Sequence, residues 1–249
     1  MRLLNLVLFS LFIAVIISLP IIFVDRYLPQ SQSPWQLQPF GCDSLSESYK
    51  SRYQIIGDTA LINFIDDSAR TIVNILIDGW GVPYDEDMLM EDFGLFKESS
   101  PKLAIHKRTL NYTAIIERNE LQERFTEGAF LFNGDYATCI KRLSNLKRYF
   151  SRTDCFEKYE DVKMVPILDS LLADGSMKRI AWTSYETREG DRKKLHQVLN
   201  DLSKLAKKYP QVQFIIQGTH RPILGTPETR RKYLAPWVPA IFANTKTIR

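Results

Sequence analysis

Four short stretches of this 249-residue chain carry side chains suited to chemistry, and most stand beside an apolar run. Asp78 closes the run Thr71-Ile-Val-Asn-Ile-Leu-Ile77 and precedes Gly79-Trp80-Gly81. A carboxylate at the end of a buried run is costly unless it is paired, hydrogen-bonded or metal-bound. A turn-forming Asp-Gly is the plain alternative. His220 sits in Gln217-Gly-Thr-His-Arg-Pro222, directly after a second apolar run. Imidazole is a common zinc ligand; a satisfied loop histidine is the alternative. Thr109 and Thr113 mark the entry to a helical pattern. A threonine at a helix start lies beside free amides and the positive dipole end, which favours an alkoxide or a bound phosphate. An ordinary capping threonine is the alternative. His106 precedes this segment and is placed to touch a substrate. Glu186 and Arg188 follow a third run ending near Tyr185 and suit a metal or a substrate anion. Asp191 reads instead as the N-cap of the next helix, and His196, inside that helix, as structural.

Elements must bring these positions together. The β-branched run Thr71–Asp78 predicts a strand buried on both faces. Ala129–Asn133, Arg179–Tyr185, Val212–Gln217 and Ala240–Ala243 predict further strands. Gln54–Ile56 and Ala60–Ile65 read as short strands. Thr113–Phe125 and part of Val162–Ala173 predict helices, and a short helix fits Asp85–Gly94. Asp191–Tyr209 is amphipathic, with Leu195, Val198, Leu199, Leu202 and Leu205 on one face. Strands alternating with helices predict an α/β fold, a mostly parallel sheet with helices on both faces. Ligand sites in such sheets gather beyond the carboxyl ends of the strands, where Asp78, Glu186 and His220 all stand.

Composition bounds the setting. The run from Leu3 to Val24 holds no charged residue, and about 20 apolar residues span the hydrocarbon core of a bilayer. Residues 1–25 therefore read as an N-terminal transmembrane helix, a single-pass anchor that leaves the bulk of the chain extracytoplasmic. The rival, a cleaved signal peptide, has a shorter apolar core and a small-residue cleavage site; neither is present. Residues 26–70 read as a juxtamembrane linker with short strands, and 71–249 as the α/β domain. Lys and Arg number 33 against 29 Asp and Glu, a net charge of only +4. That is a mixed surface, which excludes a nucleic-acid footprint. Of three cysteines, Cys139 and Cys155 can bridge in an oxidising compartment, three free thiols being the alternative.

Taken in order, these pieces resemble the alkaline phosphatase superfamily, above all its sulfatase-like and phosphoethanolamine- or lipoteichoic-acid-transferase-like branches. Val73-Asn-Ile-Leu-Ile-Asp-Gly-Trp80 is similar to the opening strand whose acid binds metal. Arg108-Thr109 through Thr113-Ala-Ile-Ile-Glu117 is similar to the nucleophile turn and its helix. Phe214–Pro222 resembles the strand and turn that supply a metal Asp and His, and Trp237–Phe242 the closing strand. The resemblance implies a zinc or manganese ion held by Asp78 and His220, with Glu186 as substitute third ligand. It implies Thr113 as nucleophile, Thr109 as second choice, and a substrate held by His106, Arg108, Glu186 and Arg188. The substrate would be a phosphate or sulfate ester of an envelope glycan or phospholipid. Two features depart from the pattern: Thr219 stands where the family has an Asp, and Trp182–Thr187 lacks the usual His. Two readings follow: a membrane-anchored hydrolase or transferase, or a catalytically inactive pseudoenzyme serving as a binding or assembly subunit. A protein partner completing the site fits either.

Overall fold

The computed structural model describes residues 44–64, 70–108, 113–121, 128–134, 152–157, 161–184, 187 and 189–245. The chain divides into Met1–Gly41 and Cys42–Arg249, and the described residues all belong to the second unit. The predicted anchor, Thr109, Glu186, Arg188 and Cys139 lie outside the described residues. No helix among the described residues is long and apolar enough to cross a membrane.

In chain order the elements are α1 (Glu47–Arg52), β1 (Gln54–Ile56), a 3-10 turn (Leu61–Phe64), β2 (Ile72–Ile77) and α2 (Glu86–Gly94). A second 3-10 turn (Lys97–Ser99), β3 (Lys102–Lys107), α3 (Thr113–Leu121), β4 (Ala129–Gly134) and β5 (Arg152–Glu157) follow. The chain then forms α4 (Asp161–Asp174), β6 (Arg179–Ser184), α5 (Arg192–Lys208), β7 (Gln213–Gly218), α6 (Pro227–Arg230) and β8 (Trp237–Ala243).

The eight strands make one sheet in the order β1-β3-β8-β7-β2-β6-β4-β5. Every neighbouring pair is parallel except the two that involve β8. The mostly parallel α/β expectation therefore holds, with one antiparallel strand. The physical reason lies in the connection. Parallel neighbours need a crossover, usually a helix. Between β7 and β8 the chain has only loops and the four-residue α6, so it returns from the edge at which it left.

Alternation along the strands divides the core in two. Val73, Ile75, Ile77, Phe214, Ile216, Ile180 and Trp182 pack with α1, α2, α4 and α5. Ile72, Leu76, Ile215, Ala181, Phe130 and Phe242 pack with the first 3-10 turn and α3. α5 buries Leu195, Val198, Leu199, Leu202, Leu205 and Ala206, the face its sequence predicts, and Asp191 caps it by accepting from the amides of Lys193 and Lys194. Each such large aliphatic chain contributes about 1.5–3 kcal/mol on full burial.

Four elements differ from expectation. Ala60–Ile65 was expected as strand; Leu61–Phe64 is a 3-10 turn whose Leu61 amide is drawn out of any ladder by the Glu120 carboxylate at 2.9 Å. β3 and β5 have no counterpart in the periodicity reading, because charged or polar residues interrupt both (KLAIHK, RTDCFE). Gln54–Ile56, read as a short strand, is β1 and joins the sheet, whereas α1, within the stretch read as linker, is a helix of its cover.

Candidate functional site

Register brings the site together. β2 pairs Ile77 with Gly218 of β7 and with Ser184 of β6. The next residue on two of these strands is therefore level at the carboxyl edge: Asp78 beside Thr219. The Asp78 amide donates to the Ser184 carbonyl at 3.1 Å, and the Thr219 amide to the Ile77 carbonyl at 3.1 Å. Gly79 then turns the chain with φ 82°, a left-handed conformation that glycine adopts without strain. Gly218 permits the approach of the two loops. A Cβ there would lie 1.9 Å from the Trp80 carbonyl oxygen, far inside contact distance.

Four side chains meet at this edge. The Thr113 hydroxyl donates to Asp78, 2.9 Å from Oδ1 and 3.1 Å from Oδ2. The Thr219 hydroxyl donates to Oδ1 at 2.5 Å. His220 Nε2 lies 3.7 Å from the same oxygen. His220 Nδ1 is 2.8 Å from the Arg221 carbonyl; a carbonyl only accepts, so Nδ1 carries the proton and Nε2 is the nitrogen that faces Asp78. Thr187 closes the turn by donating to the Asp78 backbone carbonyl. The cluster is buried: Thr113 is its most accessible member at 8% exposure, and Asp78 and His220 show 1% and 2%.

Asp78, Thr113 and His220, singled out from the sequence, are thus brought together. His106 and Arg108 go elsewhere. His106 is fully buried in β3, where its ring faces the backbone of Gly57 and Thr59. Burial, then the Arg108 charge, pushes its pKa down to about 3. Arg108 pairs with the buried Glu120 of α3 at 2.8 Å and donates to Gln217 of β7. Gln217 donates in turn to Asn74 of β2 at 2.9 Å. The Arg108 charge is spent inside the fold, in a polar layer beneath α3.

Sequence reasoning missed other contributors. Thr187 is one. A second set is Asp92, Arg192 and Trp80. Arg192 bonds both Asp92 oxygens, at 2.7 and 2.9 Å, and the Trp80 indole donates to Asp92 at 3.0 Å. This pins the loop that follows Asp78 to α2 and α5. Asp92 in an acidic, helical stretch gave no signal of burial; only its position on the inner face of α2 singles it out.

A divalent ion needs more than these donors. A catalytic zinc site has three protein ligands and an open position. Among the described residues no three His, Cys, Asp or Glu side chains gather. Asp78 and His220 are two ligands, and the neighbouring Thr219 hydroxyl is turned toward Asp78 as a donor. The described residues alone do not fit a catalytic metal centre; Glu186, expected as third ligand, lies outside them.

No family model matches the chain, and no curated protein is similar to it in sequence. In structure it is similar to the lipoteichoic acid synthase LtaP from Listeria monocytogenes, with TM-score 0.44 and 11% identity over 71% of this chain. It is also similar to an alkaline phosphatase superfamily protein from Vibrio parahaemolyticus, with TM-score 0.43 and 10% identity over 72%. PH0037 from Pyrococcus horikoshii follows at TM-score 0.33 and 9% identity, over 72% of this chain and 88% of that one. The chain spans 65% and 61% of the first two structures. At these scores the likeness is one of coarse architecture.

Proposed function

We propose that this chain is a membrane-tethered, extracytoplasmic relative of sulfatase-like and phosphoethanolamine- or lipoteichoic-acid-transferase-like proteins, serving as a binding or assembly subunit at the envelope. One observation carries the loss of turnover. Both Asp78 carboxylate oxygens take hydrogen bonds from threonine hydroxyls, and one of the donors is Thr219. A hydroxyl brings no negative charge to offset a divalent cation, and a carboxylate satisfied by hydroxyls is stable without one. The burial of Thr113 points the same way, since a nucleophile must reach its substrate.

A second reading, a zinc- or manganese-dependent hydrolase or transferase of phosphate or sulfate esters, draws on the convergence of Asp78, Thr113 and His220. It requires a third ligand from Glu186 or from a partner chain. Purified full chain in detergent separates the two. Metal content is measured after dialysis against zinc or manganese, and hydrolysis of p-nitrophenyl phosphate and sulfate is assayed beside Thr113→Ala. The expected result is no stoichiometric metal and no rate above the variant. Stoichiometric metal lost in Asp78→Ala and His220→Ala, with a rate that needs Thr113, would establish the enzyme instead.

A further inference from the structure

We propose that Tyr84, Asp85, Asp87, Arg231 and Lys232 form a self-complementary patch through which two copies of this chain pair about a two-fold axis. The pairing goes beyond the function proposed above and holds whether or not the Asp78 cluster turns over. Its starting point is a short antiparallel ladder. Pro83 bridges to Tyr233, the Tyr84 amide donates to the Lys232 carbonyl at 2.8 Å, and the Leu234 amide donates to the Val82 carbonyl at 2.8 Å. Pro83 and Tyr233 are buried, while Tyr84 and Lys232 are exposed. Side chains alternate between the two faces of such a pair, so Tyr84 and Lys232 stand side by side on its outer face.

Charge divides at Tyr84. On one side follow Asp85 and Asp87, both exposed at the head of α2. On the other stand Arg231 and Lys232, both exposed. Among the described residues none of these four side chains forms an ion pair. The Asp85 carboxylate is turned instead to the Asp87 amide at 3.1 Å. Each half has one tempering charge nearby: Arg52 lies 3.8 Å from Glu86, and Glu228 is close to Arg231 and Arg230. Apolar surface stands with the charge. Tyr84 is 55% exposed, and Met90, one turn beyond Asp87 on the same side of α2, is 39% exposed.

A patch with adjacent acidic and basic halves selects its partner. A surface of one sign attracts one half and repels the other. A second copy turned by half a revolution sets acid on base twice, because a two-fold contact repeats every pair. Exposed ion pairs each contribute little, so the charges fix the orientation of the pair more than its affinity. Tyr84, at the seam, comes to lie near the axis against its own copy. Tyrosine is among the residues that carry binding energy at the centre of an interface, and Met90 adds apolar area beside it. The strand that ends before Asp78 runs into Tyr84 through Gly79–Pro83, so the contact joins the carboxyl edges of two sheets.

Sedimentation velocity of the full chain in detergent, over a range of concentrations, tests this. The parent chain is expected to dimerise reversibly, and less at high salt. One variant carries Arg231→Glu with Lys232→Glu, which makes both halves acidic. Another carries Asp85→Asn with Asp87→Lys, which sets a cation against Arg231 and Lys232 while asparagine keeps the helix cap. Each variant alone is expected to dimerise about tenfold more weakly, and their equimolar mixture to recover the dimer. Oxidation is expected to link Tyr84→Cys into a covalent dimer beyond any product of the parent chain, and not to link Ser176→Cys, an exposed position before β6. That measurement decides the matter even where a charge variant fails to fold. A monomeric parent chain overturns the pairing, whether the patch then takes a lipid surface or an unrelated protein. A dimer that both charge variants keep, or that links no better through Tyr84→Cys than through Ser176→Cys, uses another surface and overturns it too.

Discussion

His106 shows what a single side chain in this fold costs. It is a histidine enclosed in β3 beneath α3, beside the Arg108 guanidinium. Burial and that charge hold its pKa at about 3, against about 6.5 in an unfolded chain. Between those values the unfolded state binds a proton that the folded state refuses. Stability is therefore complete above pH 6.5 and falls as the pH drops toward 3. The loss approaches about 1.4 kcal/mol per pH unit, or roughly 2 kcal/mol at pH 5. Thermal unfolding of the full chain in detergent between pH 7 and 5 checks this. His106→Leu should flatten the slope; an unchanged slope would assign the acid sensitivity to other groups. Thr219 teaches a different lesson at the same scale. Its hydroxyl sits where register puts it, beside Asp78, and gives the carboxylate a proton donor that needs no cation.

Among elements, α3 has the most exacting placement. Its first residue, Thr113, meets Asp78, and near its other end Glu120 meets Arg108. Glu120 also accepts from the Leu61 amide. The helix is thus tied at one end to the cluster and at the other to β3 and the first 3-10 turn. Two charges buried together gain little over apolar packing, but removing one partner leaves the other uncompensated, at a cost of about 3–5 kcal/mol. Glu120→Leu is expected to lower stability by that amount, which for a domain this size is roughly 10 °C in Tm. The double variant Arg108→Met with Glu120→Leu is expected to recover most of the loss. A double variant as unstable as the sum of the singles would show that the pair does not act as a pair.

On the scale of the molecule, the issue is where the domain is held. The run from Leu3 to Val24 predicts a single-pass anchor. The full chain should stay in the membrane fraction through an alkaline carbonate wash, and deletion of residues 3–24 should release it. Recovery of a shortened, soluble protein from the unaltered gene would instead mark a cleaved signal.

The sequence by itself determined the alternation of strands and helices, because the apolar runs at Thr71–Ile77, Arg179–Ser184 and Gln213–Gln217 and the amphipathic α5 depend on local periodicity. It also singled out Asp78, Thr113 and His220, since acids, hydroxyls and imidazoles at the ends of such runs are few. The tertiary structure alone decided what these residues face. Register sets Thr219 against Asp78, and the fold turns Arg108 inward to Glu120 and encloses His106. Asp92, acidic and helical in sequence, becomes the buried post for Arg192 and Trp80. Periodicity reports which face of an element is buried. Which neighbour waits there depends on strand order and register, and these are fixed by contacts between residues 35 to 141 positions apart in the chain, which no local pattern encodes.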